Sequence, residues 1–100
     1  MKTIEQTFEI RTYDVWGNAE DGYEVNNVFS AGKVTLDVPV KVYNEGTPQQ
    51  FESPEITDDQ IRQALGLRRN FPIETDGDDT IIYVNSERTG KPLGELFLIA

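Results

Sequence analysis

Val34-Thr35-Leu36-Asp37-Val38-Pro39-Val40-Lys41-Val42 is the stretch whose reading decides the fold. Every even position is aliphatic, and the odd positions are Thr, Asp, Pro and Lys. A period of two belongs to a strand that turns one face to a core and the other to water. A helix would scatter these aliphatic side chains around its circumference. Pro39 has no N–H to give to a ladder, which places this strand at a sheet edge or interrupts it there.

The segments on either side extend the pattern. From Thr3 to Val15, Ile4, Phe8 and Ile10 share one face while Glu5, Thr7, Glu9 and Arg11 share the other, a second half-buried strand. Tyr13 and Val15 then carry apolar character to the opposite face. Trp16-Gly17-Asn18 reads as the break in that strand, and Asp21-Gly22 as a second turn signal. Tyr23 to Phe29 fits two templates. Tyr23, Val25 and Phe29 suit a strand face, and Val25, Val28 and Phe29 suit a helical stripe; the β-branched residues favour the strand. Ser30-Ala31-Gly32 reads as a short turn. Residues 44–54 hold Gly46, Pro48 and Pro54 and read as a long loop, with Phe51 expected to pin it to the core.

One helix is well specified. Thr57 and Gln60 match a capping box, and Ile56 and Ile61 match a hydrophobic staple across it. Asp58 and Asp59 fall in the first turn, where the helix dipole favours negative charge. Ile61, Ala64 and Leu65 form the apolar stripe, and Gly66 suits a left-handed cap. Arg62 is expected to pair with Asp58. Phe71-Pro72-Ile73 reads as a short extended segment, and Glu74 to Asp79 as an acidic turn around Gly77. Thr80–Val84 and Glu95–Ile99 read as strands of a hairpin closed through Thr89–Gly94. The expectation is a single α+β domain over residues 1–100, a mostly antiparallel sheet of about five strands with one short helix packed on it.

Composition narrows the function classes. The chain has 100 residues with no His and no Cys, and 18 acidic against 9 basic side chains give a net charge of −9. His is the side chain that titrates near neutrality and Cys is the ready thiol nucleophile, so thiol mechanisms and the usual zinc sites are excluded. No apolar run is long enough to cross a bilayer, and no apolar leader follows a basic start. A cytoplasmic protein without cofactor, metal or membrane partner is the expectation.

Several constellations invite a functional reading. Glu74, Asp76, Asp78 and Asp79 surround Gly77 in a way that suggests a calcium loop, but the ligand spacing runs out at Thr80, and a solvated turn is the better account. Glu52, Glu55, Asp58 and Asp59 could supply paired carboxylates, but a polar loop and a helix N-terminus favour ionisation of both. No glycine-rich phosphate loop is present. Arg62, Arg68 and Arg69 could form a small basic patch, although Pro72 denies the second helix that a helix-turn-helix needs. Tyr13, Trp16 and Tyr23 flank the first break and are candidate interface anchors, or else close the end of the core.

The stretch Tyr13-Asp14-Val15-Trp16-Gly17-Asn18, continued by Asp21-Gly22-Tyr23-Glu24-Val25-Asn26, resembles small uncharacterised proteins of bacteriophages and bacterial mobile elements. The resemblance implies a phage or mobile-element setting and transfers no functional residues. The leading expectation is a non-enzymatic accessory protein that binds another protein, with the Val34–Val42 edge open to strand pairing. One alternative is an acidic DNA mimic that presents the two carboxylate groups in place of phosphates. Another is a nucleic-acid module using the sheet face with Arg62, Arg68 and Arg69, which the net charge disfavours.

Overall fold

The computed structural model describes residues 2–78 and 80–100. Along the chain run β1 (Thr3–Asn18), β2 (Gly22–Tyr43), β3 (Phe51–Pro54), α1 (Asp58–Ala64), β4 (Ile73–Gly77), β5 (Ile81–Ser86) and β6 (Pro92–Leu98). All pairings are antiparallel and the sheet order is β3-β2-β1-β6-β5-β4. The α+β architecture with one short helix is as read from the sequence. The sheet has six strands, not about five.

The difference comes from turn signals that do not turn. Ser30-Ala31-Gly32 stays inside β2: Glu9 faces Lys33 and Arg11 faces Ser30, so Ala31 and Gly32 together oppose Ile10. This is a β-bulge, and Gly32 takes its positive φ of 100° there at no steric cost. A second irregularity lies between Asp14 and Val15, where Asn26 is the extra residue, so Tyr23–Phe29 is strand and not helix. Trp16, Gly17 and Asn18 do not break β1 but pair with Glu24, Tyr23 and Gly22. The turn is Ala19–Asp21, closed by Asn18, whose side-chain oxygen accepts from the Glu20 and Asp21 amides at 3.0 and 2.8 Å.

Two further loops are shorter than their composition implies. Part of 44–54 forms β3, and Phe51 does not pin it to the core. Its ring is 53 % exposed and stacks on Tyr43 with centroids 5.0 Å apart. Glu74 to Gly77 is strand, paired with Ile82–Asn85, and the acidic turn shrinks to the segment that begins at Asp78. There the Asp78 carboxylate accepts from the Thr80 and Ile81 amides at 2.8 and 3.1 Å. Asp79 lies outside the described residues.

Pro39 is accommodated by orientation. The carbonyl of Pro39 accepts from Glu55 on the outer side of β2, while the neighbouring Val40 amide reaches inward to Lys2. The missing N–H of Pro39 therefore points outward, where no ladder donor is required. Val40–Tyr43 is not an open edge, because β3 pairs with it. Along that side the open edge is the part of β2 before Asp37, where the Gln60 side-chain amide donates to the Asp37 carbonyl at 2.8 Å.

The helix is as specified. The Gln60 amide donates to the Thr57 hydroxyl and the Thr57 amide to the Gln60 side chain, each at 3.1 Å. Gly66 has φ 69°. Arg62 pairs with Asp59 at 2.8 Å and not with Asp58, since the three-residue spacing brings that carboxylate within reach. Ile61 inserts among Phe8, Val38, Ile73, Val84 and Leu96, which form the core. The helix lies close enough to β6 that a Cβ on Gly94 would sit 2.9 Å from a Leu65 methyl and 2.6 Å from the Arg11 carbonyl oxygen.

Candidate functional site

Three surfaces follow from this architecture. The first is an arm. β6 pairs with β1 only from Phe8 to Thr12, so Tyr13–Asn18 and Gly22–Val28 continue as a ribbon of two strands. Its β1 half extends for roughly 20 Å at ~3.4 Å per residue, and it contributes to principal extents of 49 × 27 × 23 Å. No residue of the ribbon is buried. Trp16 is 61 % exposed near its tip, while Val28 and Phe29 are 51 and 54 % exposed at its root. Scattered single apolar residues need no explanation, but several on one thin ribbon do.

The second surface is the sheet face that the helix leaves uncovered. Val25 and Val28 of the arm, with Tyr13, Tyr83, Asn85 and Pro92, border an open cleft of about 410 Å³, and Asp76, paired with Tyr83, shares this face at the sheet edge. A charged network lies beside it. The buried Glu95 accepts from the Tyr13 hydroxyl at 3.0 Å and from Arg11 at 3.3 Å, and Arg11 also reaches Glu9 at 2.9 Å. The Arg11 guanidinium sits 4.7 Å from the Phe97 ring centroid, so one cation serves two carboxylates and a π face. Burial, helped by the adjacent Glu95 carboxylate, pushes the Tyr13 phenol well above its ordinary range. Hydrogen bonds from Arg11 and Ser30 hold the Glu9 carboxyl below its ordinary 4.5. Among the described residues no buried side-chain nitrogen or oxygen lacks a partner. The network therefore fastens the root of the arm to the body.

The third surface is a groove of about 650 Å³ on the helix side. Glu52 and Glu55 flank it on one side and Asp78 on the other, with Asp58 at the helix start and the β4 edge at Thr75–Gly77 beside Asp78. β3 and β4 are the two outermost strands, so the sheet curls until its opposite edges border one cavity. The carboxylates remain distributed, and among the described residues no three acidic side chains converge as metal ligands would.

The candidate residues from the sequence are thus divided among these surfaces. Trp16 points outward on the arm, Tyr13 is tied into the Glu95 network, and Tyr23 is half-buried opposite Gly17. Glu74 is exposed on β4 but does not border the groove. The basic patch is partly consumed: Arg62 donates to the Phe71 carbonyl at 2.8 Å as well as to Asp59, and Arg68 lies over the Phe71 ring at 5.4 Å. Arg69 is exposed. Sequence reasoning missed the exposed Val25, Val28 and Phe29. Their signal is an apolar run that continues after β1 has lost its partner, which local pattern alone does not disclose. No helix among the described residues is long and apolar enough to cross a membrane. Comparison with family models, with curated proteins and with solved structures finds no match.

Proposed function

We propose that this chain is a non-enzymatic accessory protein that acts by binding another protein, with the β1–β2 arm as its principal contact. One observation carries the reading: Trp16 and Val28 stand exposed on a two-stranded ribbon that lacks the sheet partner and helix cover of the body, with Phe29 exposed beside them where the ribbon joins it. Exposed Trp and Phe can each fill a partner's pocket, and such anchors dominate interface energies. The open edge of β2 adjoins them and offers backbone groups to a partner strand. A cytoplasmic, phage or mobile-element setting belongs to the same reading; the setting rests on the Tyr13–Asn26 resemblance.

The two alternatives are weaker. A DNA mimic needs its carboxylates on a convex ridge, whereas Glu52, Glu55, Asp58 and Asp78 border a concavity. A nucleic-acid module needs free cations, and Arg62 is engaged within the fold. The test is capture of partners from nuclease-treated bacterial lysate on immobilised protein. It compares the wild type with a Trp16→Ser/Val28→Ser/Phe29→Ser variant whose circular dichroism is unchanged. A protein retained by the wild type and lost by the variant is the expected result. Identical captures would overturn the arm as the contact.

A further inference from the structure

The groove on the helix side exists because the cover is too short. Seven helical residues span ~10 Å, while a six-stranded sheet is ~24 Å across. Leu65, the residue that caps the C-terminus of α1, lies against Gly94, and the opposite end of the same sheet face is left open. There Phe8 and Ile61 form the floor, with the half-buried Ile82 and Leu98 beside them. At the mouth Phe51 is largely exposed. A concavity of this size falls within the range of ligand sites, ~300–1,000 Å³.

Its rim is of one sign. Among the described residues that line it, Glu52, Glu55, Asp58 and Asp78 carry carboxylates and none is Lys or Arg. Lys2 reaches Glu52 at 2.6 Å from outside, and both side chains of that pair are well exposed. The Asp78 carboxylate is held below its ordinary value by the Thr80 and Ile81 amides, which keeps its charge in place. A purely apolar ligand would leave this rim unanswered. A small cation would ignore the floor and would find no focused coordination centre among the described residues. The complement is a chain that is apolar on one side and cationic on the other.

We propose that the groove docks an extended basic segment of a partner protein, in which aliphatic side chains alternate with Lys or Arg. In an extended chain alternate side chains point to opposite faces. The aliphatic set then meets Phe8, Ile82 and Leu98, while the basic set spreads toward Glu52 and Glu55 on one wall and Asp78 on the other. The outer edge of β4, the last strand of the sheet, lies alongside, and among the described residues no strand pairs with its outer side. This proposal rests on the reading that the chain binds protein, but it uses none of the arm.

The test titrates the full chain with a synthetic peptide of alternating lysine and valine, followed by fluorescence anisotropy. Saturable binding is expected, with shifts confined to the Ile82 and Leu98 methyl signals in carbon-resolved NMR. Glu52→Gln/Asp78→Asn, one change on each wall, should weaken binding by about tenfold or more, the scale of ~1.4 kcal/mol; the new Asn keeps an oxygen to accept from the Thr80 and Ile81 amides. Glu20→Gln/Asp21→Asn at the arm turn makes the same change in net charge and should leave it unaltered. A lysine–serine peptide should bind more weakly, since it lacks the part that meets the floor. Equal losses in the two charge variants, equal affinity for the two peptides, or no methyl shifts would each overturn the proposal. Trp16→Ser should leave peptide binding intact, so failure of the groove and failure of the arm are read separately.

Discussion

β1 is one strand in two environments. From Phe8 to Thr12 it has β2 on one side and β6 on the other, and the core residue Phe8 packs with Ile61 of α1. From Tyr13 to Asn18 it keeps only β2. Apolar side chains occur in both halves, yet Phe8 is 3 % exposed and Trp16 is 61 % exposed. Alternation therefore encodes the strand, and burial is supplied by neighbours that arrive from the far end of the chain. The body spends its apolar residues on stability, while the arm has them available for another molecule.

Core truncation against arm truncation should separate the two regions most widely. Leu96 is fully buried in the body. Leu96→Ala leaves a cavity, and chemical denaturation should show a loss of about 2–5 kcal/mol. Val28→Ala on the arm should change stability by less than about 0.5 kcal/mol, as exposed positions do. Comparable losses at the two sites would mean that the arm is packed and that the contrast is wrong.

Two glycines sharpen the same comparison with a smaller effect. Gly94 lies in the body, and the Cβ of Gly94→Ala would press on the Arg11 carbonyl and on Leu65. Overpacking there should lower global stability by about 1–3 kcal/mol. Gly17 is on the arm with φ 104°, and a Cβ would fall 2.1 Å from the Gly22 carbonyl oxygen. Gly17→Ala should open the ribbon locally. Hydrogen exchange should then rise at Trp16–Tyr23 amides, while Val84 and Leu96 stay protected. A global unfolding shift as large as that of Gly94→Ala would show the arm and body to be one cooperative unit.

These contrasts also mark what the sequence discloses. The Val34–Val42 strand, the Thr57 capping box and the Gly66 cap are local devices, each complete within a few residues, and all three are readable; the final hairpin is readable in its strands, but Pro92–Gly94, which reads as its loop, is the start of β6. The bulges are not, because Ser30-Ala31-Gly32 looks the same whether the chain reverses or merely kinks. Only the register against Glu9 and Arg11 decides, and that is a relation between segments. The groove is hidden for the same reason. Glu52 on β3 and Asp78 at the end of β4 are separated by a helix and belong to opposite edges of the sheet, so their approach requires the curl of the whole sheet. Trp16 and Tyr13 are adjacent candidates in sequence, yet one is an exposed anchor and the other is a fastening.

That fastening supplies the smallest effect, confined to alkaline pH. The Tyr13 phenol is raised above its ordinary 10.0, first by burial and then by its hydrogen bond to Glu95. A group whose folded value lies above its unfolded value contributes stability that is fully present below the unfolded value and is lost as pH rises through the folded one. The root of the arm should therefore hold at neutral pH and weaken progressively above pH 10. Ultraviolet titration of the wild type against Tyr13→Phe isolates the group: the difference in tyrosinate absorbance should be absent near pH 10 and appear only well above it. The exposed Trp16 reports the mechanical consequence, because its fluorescence should change in the same alkaline window if the arm detaches as the Tyr13–Glu95 bond is lost. A difference step centred at or below pH 10 would place Tyr13 in water and would remove its bond to Glu95 as a fastening of the arm.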